Sequence, residues 1–410
     1  MRAQGEFANR IGPALRSRRA APWLLLAAAA LGGASALYAQ RGVAPAFRSG
    51  DALEYALMAR RLAHGEGFTS GLVYPAELWL GAGAAHPAVK FPPLWPLALA
   101  GPFALFGADA GVAHALVVAL VGALVAACAA LAASRGGVAA GAVAALAVAS
   151  SPPTLLLAFD PVSETLFALA IALALLACAR SAPAWLTGVA CGLAYLTRYN
   201  GAVLLPAALA LVYAGQRTPR ALLACLAGFL AVAAPWWLRN LWVAGDPFYS
   251  LLNLNLWITP DPTPHGASLF FQQQPDLASR AAAEPLAKLA RQLPVLIARL
   301  PFASVNLAAF AGLLLGCARR DRHCLAFAAV CAATLVVAAA ALPLGRYLAP
   351  LFPAQLALGA AAWVRYGGRL RLPALALLLL APALPSVPAE LPDLALIRAT
   401  REQARATGVG

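Results

Sequence analysis

The chain is 410 residues long, 62% hydrophobic and only 11% charged, with a formal net charge of +14. Water-soluble domains sit near half apolar and about a quarter charged, which excludes a soluble fold: it could not bury this much apolar side chain. The positive charge does not mark a nucleic-acid binder either, because the cations fall in short segments between apolar runs and not on one basic face.

In chain order, apolar runs long enough to cross ~30 Å of hydrocarbon recur throughout. An Arg-rich cytoplasmic N-terminus, 1–21, precedes a first span at 22–40. Residues 33–40 (GASALYAQ) resemble a signal-peptidase site, but the rest of the topology needs this run as an anchor. Residues 41–92 form a large external loop. The stretch 93–157 must return to the outside by residue 158, so it holds two crossings. Within it, 93–110 carries Pro93, Pro96 and Pro102 and lies at the outer surface or re-enters. Spans are expected near 162–180, 185–197, 201–214 and 220–238, followed by a second external loop at 239–295. Spans near 296–316, 324–343, 348–364 and 372–387 and an external tail, 388–410, complete the chain.

Charge gives the orientation. The N-terminal stretch, Arg135, Arg180, Arg217 with Arg220, Arg319 with Arg320 and Arg322, and Arg365 with Arg369 and Arg371 hold half of the 30 basic residues but only two of the 16 acids. That asymmetry is the positive-inside signal. The expected fold is an all-α polytopic membrane protein with about eleven transmembrane helices in one domain, 22–387. All seven cysteines lie in expected spans or at cytoplasmic ends, so no disulfide is expected.

Polar residues in a membrane protein need a reason, and here they gather at the outer ends. Asp51 and Glu54 open DALEYALMARRLAHGEGF (51–68), whose apolar positions recur at helical spacing and suit a surface helix ended by Gly65 and Gly67. His86 and Lys90 precede a Pro-rich entry, HPAVKFPPLWPL (86–97). FDPVSETLF (159–167), LTRYNG (196–201), PWWLRNLWVAGDPFY (235–249) and LGRYLAPLFP (344–353) reach the same face. Carboxylates there suit a general base or a metal ion. The isolated cations Lys90, Arg198, Arg239 and Arg346 suit a lipid phosphate. Each also has a plainer reading. Asp51 and Glu164 serve as helix caps, Glu54 lies on a solvated face, Lys90 snorkels to headgroups, and the arginines anchor at the interface.

In these motifs the chain resembles the polytopic GT-C glycosyltransferases. The resembling branch is that of protein O-mannosyltransferases, aminoarabinose transferases and related bacterial lipopolysaccharide glycosyltransferases, family 39-like. The shared features are Asp51 with Glu54 and Tyr55 after the first span, Lys-x-Pro-Pro-Leu from Lys90, and Ser-Glu-x-Leu-Phe from Ser163. Next come Gly-Leu-x-x-Leu-Thr-Arg-Tyr-x-Gly from Gly192, Pro-Trp-x-x-Arg-Asn from Pro235 with Gly-Asp-Pro-Phe-Tyr, and Arg-Tyr-Leu-x-Pro from Arg346. The resemblance implies the GT-C fold, a polyprenyl-phosphate-linked sugar donor and inversion at the anomeric carbon. It makes Asp51 the catalytic base, with Glu164 where relatives carry a second acid. Lys90 then binds the lipid phosphate, with Arg198, Arg239, Arg346 and Tyr347 beside it. Glu54, Tyr55 and His86 are candidates for the acceptor side, the acceptor being a lipid, glycan or protein. A divalent metal is compatible with the carboxylates, although no ligand spacing demands one. The expected location is the bacterial cytoplasmic (inner) membrane, with the site outside. Two departures stand out: HPAVK lacks the acid that relatives place directly before the lysine, and no large external C-terminal domain follows. The alternative reading is a transporter or flippase for an anionic or lipid-linked substrate, which needs polar residues along a path through the membrane centre. A non-catalytic scaffold has no need of the clustered charges.

Overall fold

The structure, a computed structural model, describes residues 20–81, 86–256, 283–303, 306–341 and 347–380; Arg346, part of the second expected external loop and both chain ends lie outside the described residues. The helices are α1 (Ala20–Gln40), α2 (Gly50–Ala63), α3 (Leu94–Phe106), α4 (Ala110–Gly136), α5 (Val138–Ser150), α6 (Pro152–Leu157), α7 (Glu164–Ala179) and α8 (Ala184–Thr197). They continue as α9 (Leu204–Gln216), α10 (Pro219–Ala244), α11 (Ala283–Ala303), α12 (Leu307–Ala318), α13 (Arg322–Ala340), α14 (Phe352–Tyr366) and α15 (Arg371–Leu380). Among the described residues there is no strand, only a single bridge between Thr69 and Pro87.

Among the described residues four helices, α1, α4, α10 and α13, are long and apolar enough to cross a membrane. Others are apolar but shorter. α7 has 16 residues and α8 has 14, or roughly 24 and 21 Å at 1.5 Å per residue. Both have one end at a polar motif. Such irregular backbone is tolerated at membrane depth where it is buried in protein or lines a cavity. α3, with Pro102 inside its 13 residues, is likewise short of a full crossing at roughly 20 Å.

α4 is the central helix. Val117, Val121, Leu124, Val125, Cys128 and Leu131 are fully buried along it, against α1, α5, α7 and α14. α8 and α10 pack backbone to backbone: a Cβ on Gly188 would strike the Cys225 carbonyl, and one on Gly228 the Trp185 carbonyl. Small residues permit this closeness where lipid offers no hydrophobic drive between helices.

Two spans differ from expectation. α10 runs on to Ala244 and carries Arg239 inside the helix. The stretch expected as one span at 296–316 is divided between α11 and α12. Asn306 caps α12, its Oδ1 accepting from the Ala309 N–H at 2.9 Å and its Nδ2 donating to the Leu378 carbonyl at 2.8 Å. The side chain competes for backbone hydrogen bonds and starts a new helix there.

Charges separate to two ends. Asp321 accepts from Arg135 and from the Tyr366 hydroxyl (3.0 Å), and lies 3.6 Å from Arg365. Three basic segments distant in sequence therefore meet at one end. α14 leads from there to the vicinity of Tyr347, its 15 residues spanning roughly 22 Å.

Candidate functional site

The site begins with how α2 is held. Ser49 caps it, its hydroxyl accepting from the Ala52 N–H at 3.1 Å. Asp160 accepts from the N–H groups of Arg48 (3.2 Å) and Ser49 (3.1 Å), tying the start of α2 to the segment before α7. Asp51 is thus not the cap. It occupies the first turn, where the helix dipole favours an anion.

Lys90 arrives on a braced loop. Ser70 N–H donates to the His86 carbonyl (2.8 Å), and Ala88 N–H to the Phe68 carbonyl (3.2 Å). His86, 1% exposed, donates from Nε2 to the Glu77 carbonyl at 3.0 Å. Ser250 donates to the Lys90 carbonyl at 2.9 Å from the far side of the chain. The Lys90 ammonium donates to Glu54 Oε2 (2.7 Å) and to the Tyr74 hydroxyl (2.6 Å). Tyr74 in turn donates to the same Glu54 oxygen at 3.0 Å. Asp51 Oδ1 lies 3.8 Å from the ammonium, and the Phe91 ring lies beneath it at 4.4 Å. Burial alone would lower the Lys90 pKa, but Glu54, Tyr74 and Asp51 outweigh it and hold it above the ordinary lysine value.

Arg198 enters where α8 ends. Its backbone is extended (φ −151, ψ 131), and a 3₁₀ turn, Tyr199–Val203, follows. That turn lies directly on α8: a Cβ on Gly201 would sit 2.6 Å from the Ala194 carbonyl, which accounts for glycine at the end of LTRYNG. Trp236 Nε1 donates to the Tyr199 hydroxyl (3.1 Å) and Trp237 Nε1 to the Tyr195 hydroxyl (2.9 Å), supporting the turn from α10. The Arg198 guanidinium pairs with Glu164 at 2.8 Å, donates to Ser163 at 3.2 Å and lies 5.1 Å above the Tyr347 ring. Tyr55 donates to the same serine at 3.1 Å.

These groups surround a cavity of about 390 Å³. Asp51, Tyr55, Lys90, Arg198 and Tyr347 line it, with Thr197, Asn200 and Asn253. The remaining wall is apolar and includes Val203, Leu252, Leu256, Val337, Ala338 and Ala341. Of the expected site residues, Glu54 and Glu164 are buried behind Lys90 and Arg198 and do not border the cavity. His86 braces the loop. Arg239 lies apart: it covers the Trp236 ring at 4.8 Å and the Phe68 ring at 5.6 Å, and donates to the Phe68 carbonyl at 3.3 Å. Tyr74, Asp160, Ser163 and Ser250 complete the framework without having been singled out from sequence. Asp160 and Ser163 lie inside a recognised motif, FDPVSETLF, whereas Tyr74 and Ser250 carry no local signal.

No group of three or more metal-ligating side chains gathers among the described residues. Between Asp51 and Glu54, where a divalent ion would bridge carboxylates, stands the Lys90 ammonium. These residues do not fit a metal.

No family matches the sequence, and no curated protein matches it. Solved structures do. ArnT from Cupriavidus metallidurans, bound to undecaprenyl phosphate, superposes at a TM-score of 0.56 with 17% identity, over 96% of this chain and 70% of that one. The oligosaccharyltransferase of Archaeoglobus fulgidus in its apo form gives 0.59 at 14% identity, over 94% of this chain. AglB from the same organism, in complex with an inhibitory peptide and a dolichol-phosphate, gives 0.56 at 13%. This chain has the GT-C fold. It spans 70% of ArnT and 56% of the apo archaeal enzyme.

Proposed function

We propose that this chain is a membrane glycosyltransferase. It moves a sugar from a polyprenyl-phosphate donor to an acceptor at the outer face of a bacterial cytoplasmic membrane. One observation carries the reading: a carboxylate, Asp51, and two cations, Lys90 and Arg198, share a single cavity whose wall is otherwise largely apolar. That combination suits a phosphate attached to an isoprenoid chain and a nucleophile that must lose a proton. The undecaprenyl phosphate of the ArnT complex and the dolichol-phosphate of the AglB complex support the donor class.

In the proposed reaction the acceptor hydroxyl or amine attacks the anomeric carbon from the side opposite the phosphate. Asp51 takes the acceptor proton. The bond from acceptor to carbon forms as the carbon–oxygen bond to phosphate breaks, and the electron pair leaves on the polyprenyl phosphate. Lys90 and Arg198 stabilise that developing charge, with Tyr347 holding the guanidinium plane. Backside attack inverts the anomeric centre. No step is routed through a metal. The Arg135, Asp321 and Arg365 end, rich in arginine, supports placing the opposite, catalytic end outside and the N-terminus in the cytoplasm.

The test is transfer of label from a radiolabelled polyprenyl-phosphate sugar mixture to a crude envelope extract by purified protein. Wild type transfers label and Asp51→Asn loses ~10²-fold or more, the usual reach of a general base. Movement of the lipid-linked sugar across proteoliposomes without bond formation would point instead to a flippase.

A further inference from the structure

Both cations of the cavity have a carboxylate behind them. Lys90 pairs with Glu54 at 2.7 Å and Arg198 with Glu164 at 2.8 Å. Glu54 is 2% exposed and Glu164 5%, and neither borders the cavity, whereas both cations do. An ammonium has three N–H donors. Glu54 and Tyr74 take two, which leaves one for the cavity side, where Asp51 lies 3.8 Å away. Glu164 is held through Oε1, while its Oε2 is buried with no hydrogen-bond partner among the described residues.

Lys90 is buried and the Arg198 side chain is 14% exposed; cations this far withdrawn from water need counter-charge when no phosphate is present, since an isolated buried charge is very costly. A phosphate must then share or compete for N–H groups already engaged. The competition matters most after transfer. The donor phosphate is a diester with one negative charge, whereas the released monoester approaches two at neutral pH. A cavity with unopposed cations would therefore hold its product more tightly than its substrate.

We propose that Glu54 and Glu164 are standing counter-ions, positioning residues that weaken the grip of Lys90 and Arg198 on the spent polyprenyl phosphate and so set its release. This rests on the donor class proposed above. Neither residue touches the reacting atoms. Asp51 stays near Lys90 in a Glu54 variant, 3.8 Å from the ammonium.

The experiment measures equilibrium binding of undecaprenyl phosphate, and separately of undecaprenol, to purified wild type, Glu54→Gln, Glu164→Gln and Tyr74→Phe, together with product inhibition of transfer. Glu54→Gln is expected to bind the phosphate about tenfold more tightly, from removal of one nearby negative charge. Its affinity for undecaprenol stays unchanged and its turnover falls under stronger product inhibition. Glu164→Gln shifts in the same direction. Tyr74→Phe, which removes a hydrogen bond and no charge, shifts less than Glu54→Gln. Unchanged or weaker phosphate binding by a folded Glu54→Gln or Glu164→Gln protein overturns the inference and leaves the enzyme reading standing. Wild type that binds the phosphate no better than the alcohol overturns both.

Discussion

Asp51 and Glu54 sit about one turn apart on α2, yet only Asp51 borders the cavity while Glu54 is buried against Lys90. Their different placement comes from packing, not from residue type. The carboxyl of Glu77 shows what burial does nearby. It is 2% exposed and accepts from the Tyr74 N–H at 3.2 Å, and burial pushes its pKa from the usual 4.5 up to about 7. In that window the folded chain holds the proton that the unfolded chain releases. The stability it contributes is therefore complete at low pH and declines as pH rises from about 4.5 through about 7. Glu77→Gln should flatten this decline and raise the melting temperature at pH 8; thermal unfolding from pH 5 to pH 8 checks it. An unchanged slope would mean that Glu77 does not govern the loop. The sequence motifs led to Asp51, Lys90 and Arg198 because each stands in a polar break between apolar runs. They could not lead to Tyr74, which reaches Lys90 only through the folding of a loop, nor show that Arg239, next to two tryptophans, would cover aromatic rings instead of joining the cavity.

At the scale of elements, apolar runs announce helices, and their polar interruptions announce where helices stop. The end of α8 at Thr197 follows from LTRYNG, since Gly201 must lie on the Ala194 carbonyl. The break before α12 was illegible, because one asparagine amid apolar residues gives no periodic signal. Packing between α8 and α10 depends on reciprocal glycines, each under a carbonyl of the other helix. Gly188→Ala should cost roughly 1–3 kcal/mol or more through overpacking. Part of the loss in transfer should follow from displacement of the Arg198 turn. Thermal stability in detergent and activity per folded molecule separate the two. A fully stable Gly188→Ala protein would contradict the close approach.

For the molecule as a whole, three of the segments sorted by charge come together. Arg135, Arg365 and the Asp321 loop are far apart in the chain but converge on one carboxylate. The number of crossings was less legible, since several apolar helices are too short to count by length and, among the described residues, four pass on length and composition. Asp321→Asn removes the carboxylate that Arg135 and Arg365 share and should destabilise the fold by about 3 kcal/mol, as expected when one partner of a largely buried pair is lost. Transfer per folded molecule should be unchanged, because the cavity lies at the other end of α14. Asp51→Asn should behave in the opposite way, keeping the fold and losing transfer. Both are read from the same melting and activity measurements, and loss of specific activity in Asp321→Asn would show the two ends to be coupled.

The central claim is a division of labour within one cavity: Asp51 takes the proton, and Lys90 and Arg198 hold the phosphate. Its most direct test is single-turnover transfer with donor affinity measured on the same preparations of wild type, Asp51→Asn and Arg198→Ala. The account predicts that Asp51→Asn binds donor as wild type does but transfers ~10²-fold more slowly or worse, while Arg198→Ala binds donor weakly. Normal single-turnover transfer by Asp51→Asn would contradict it.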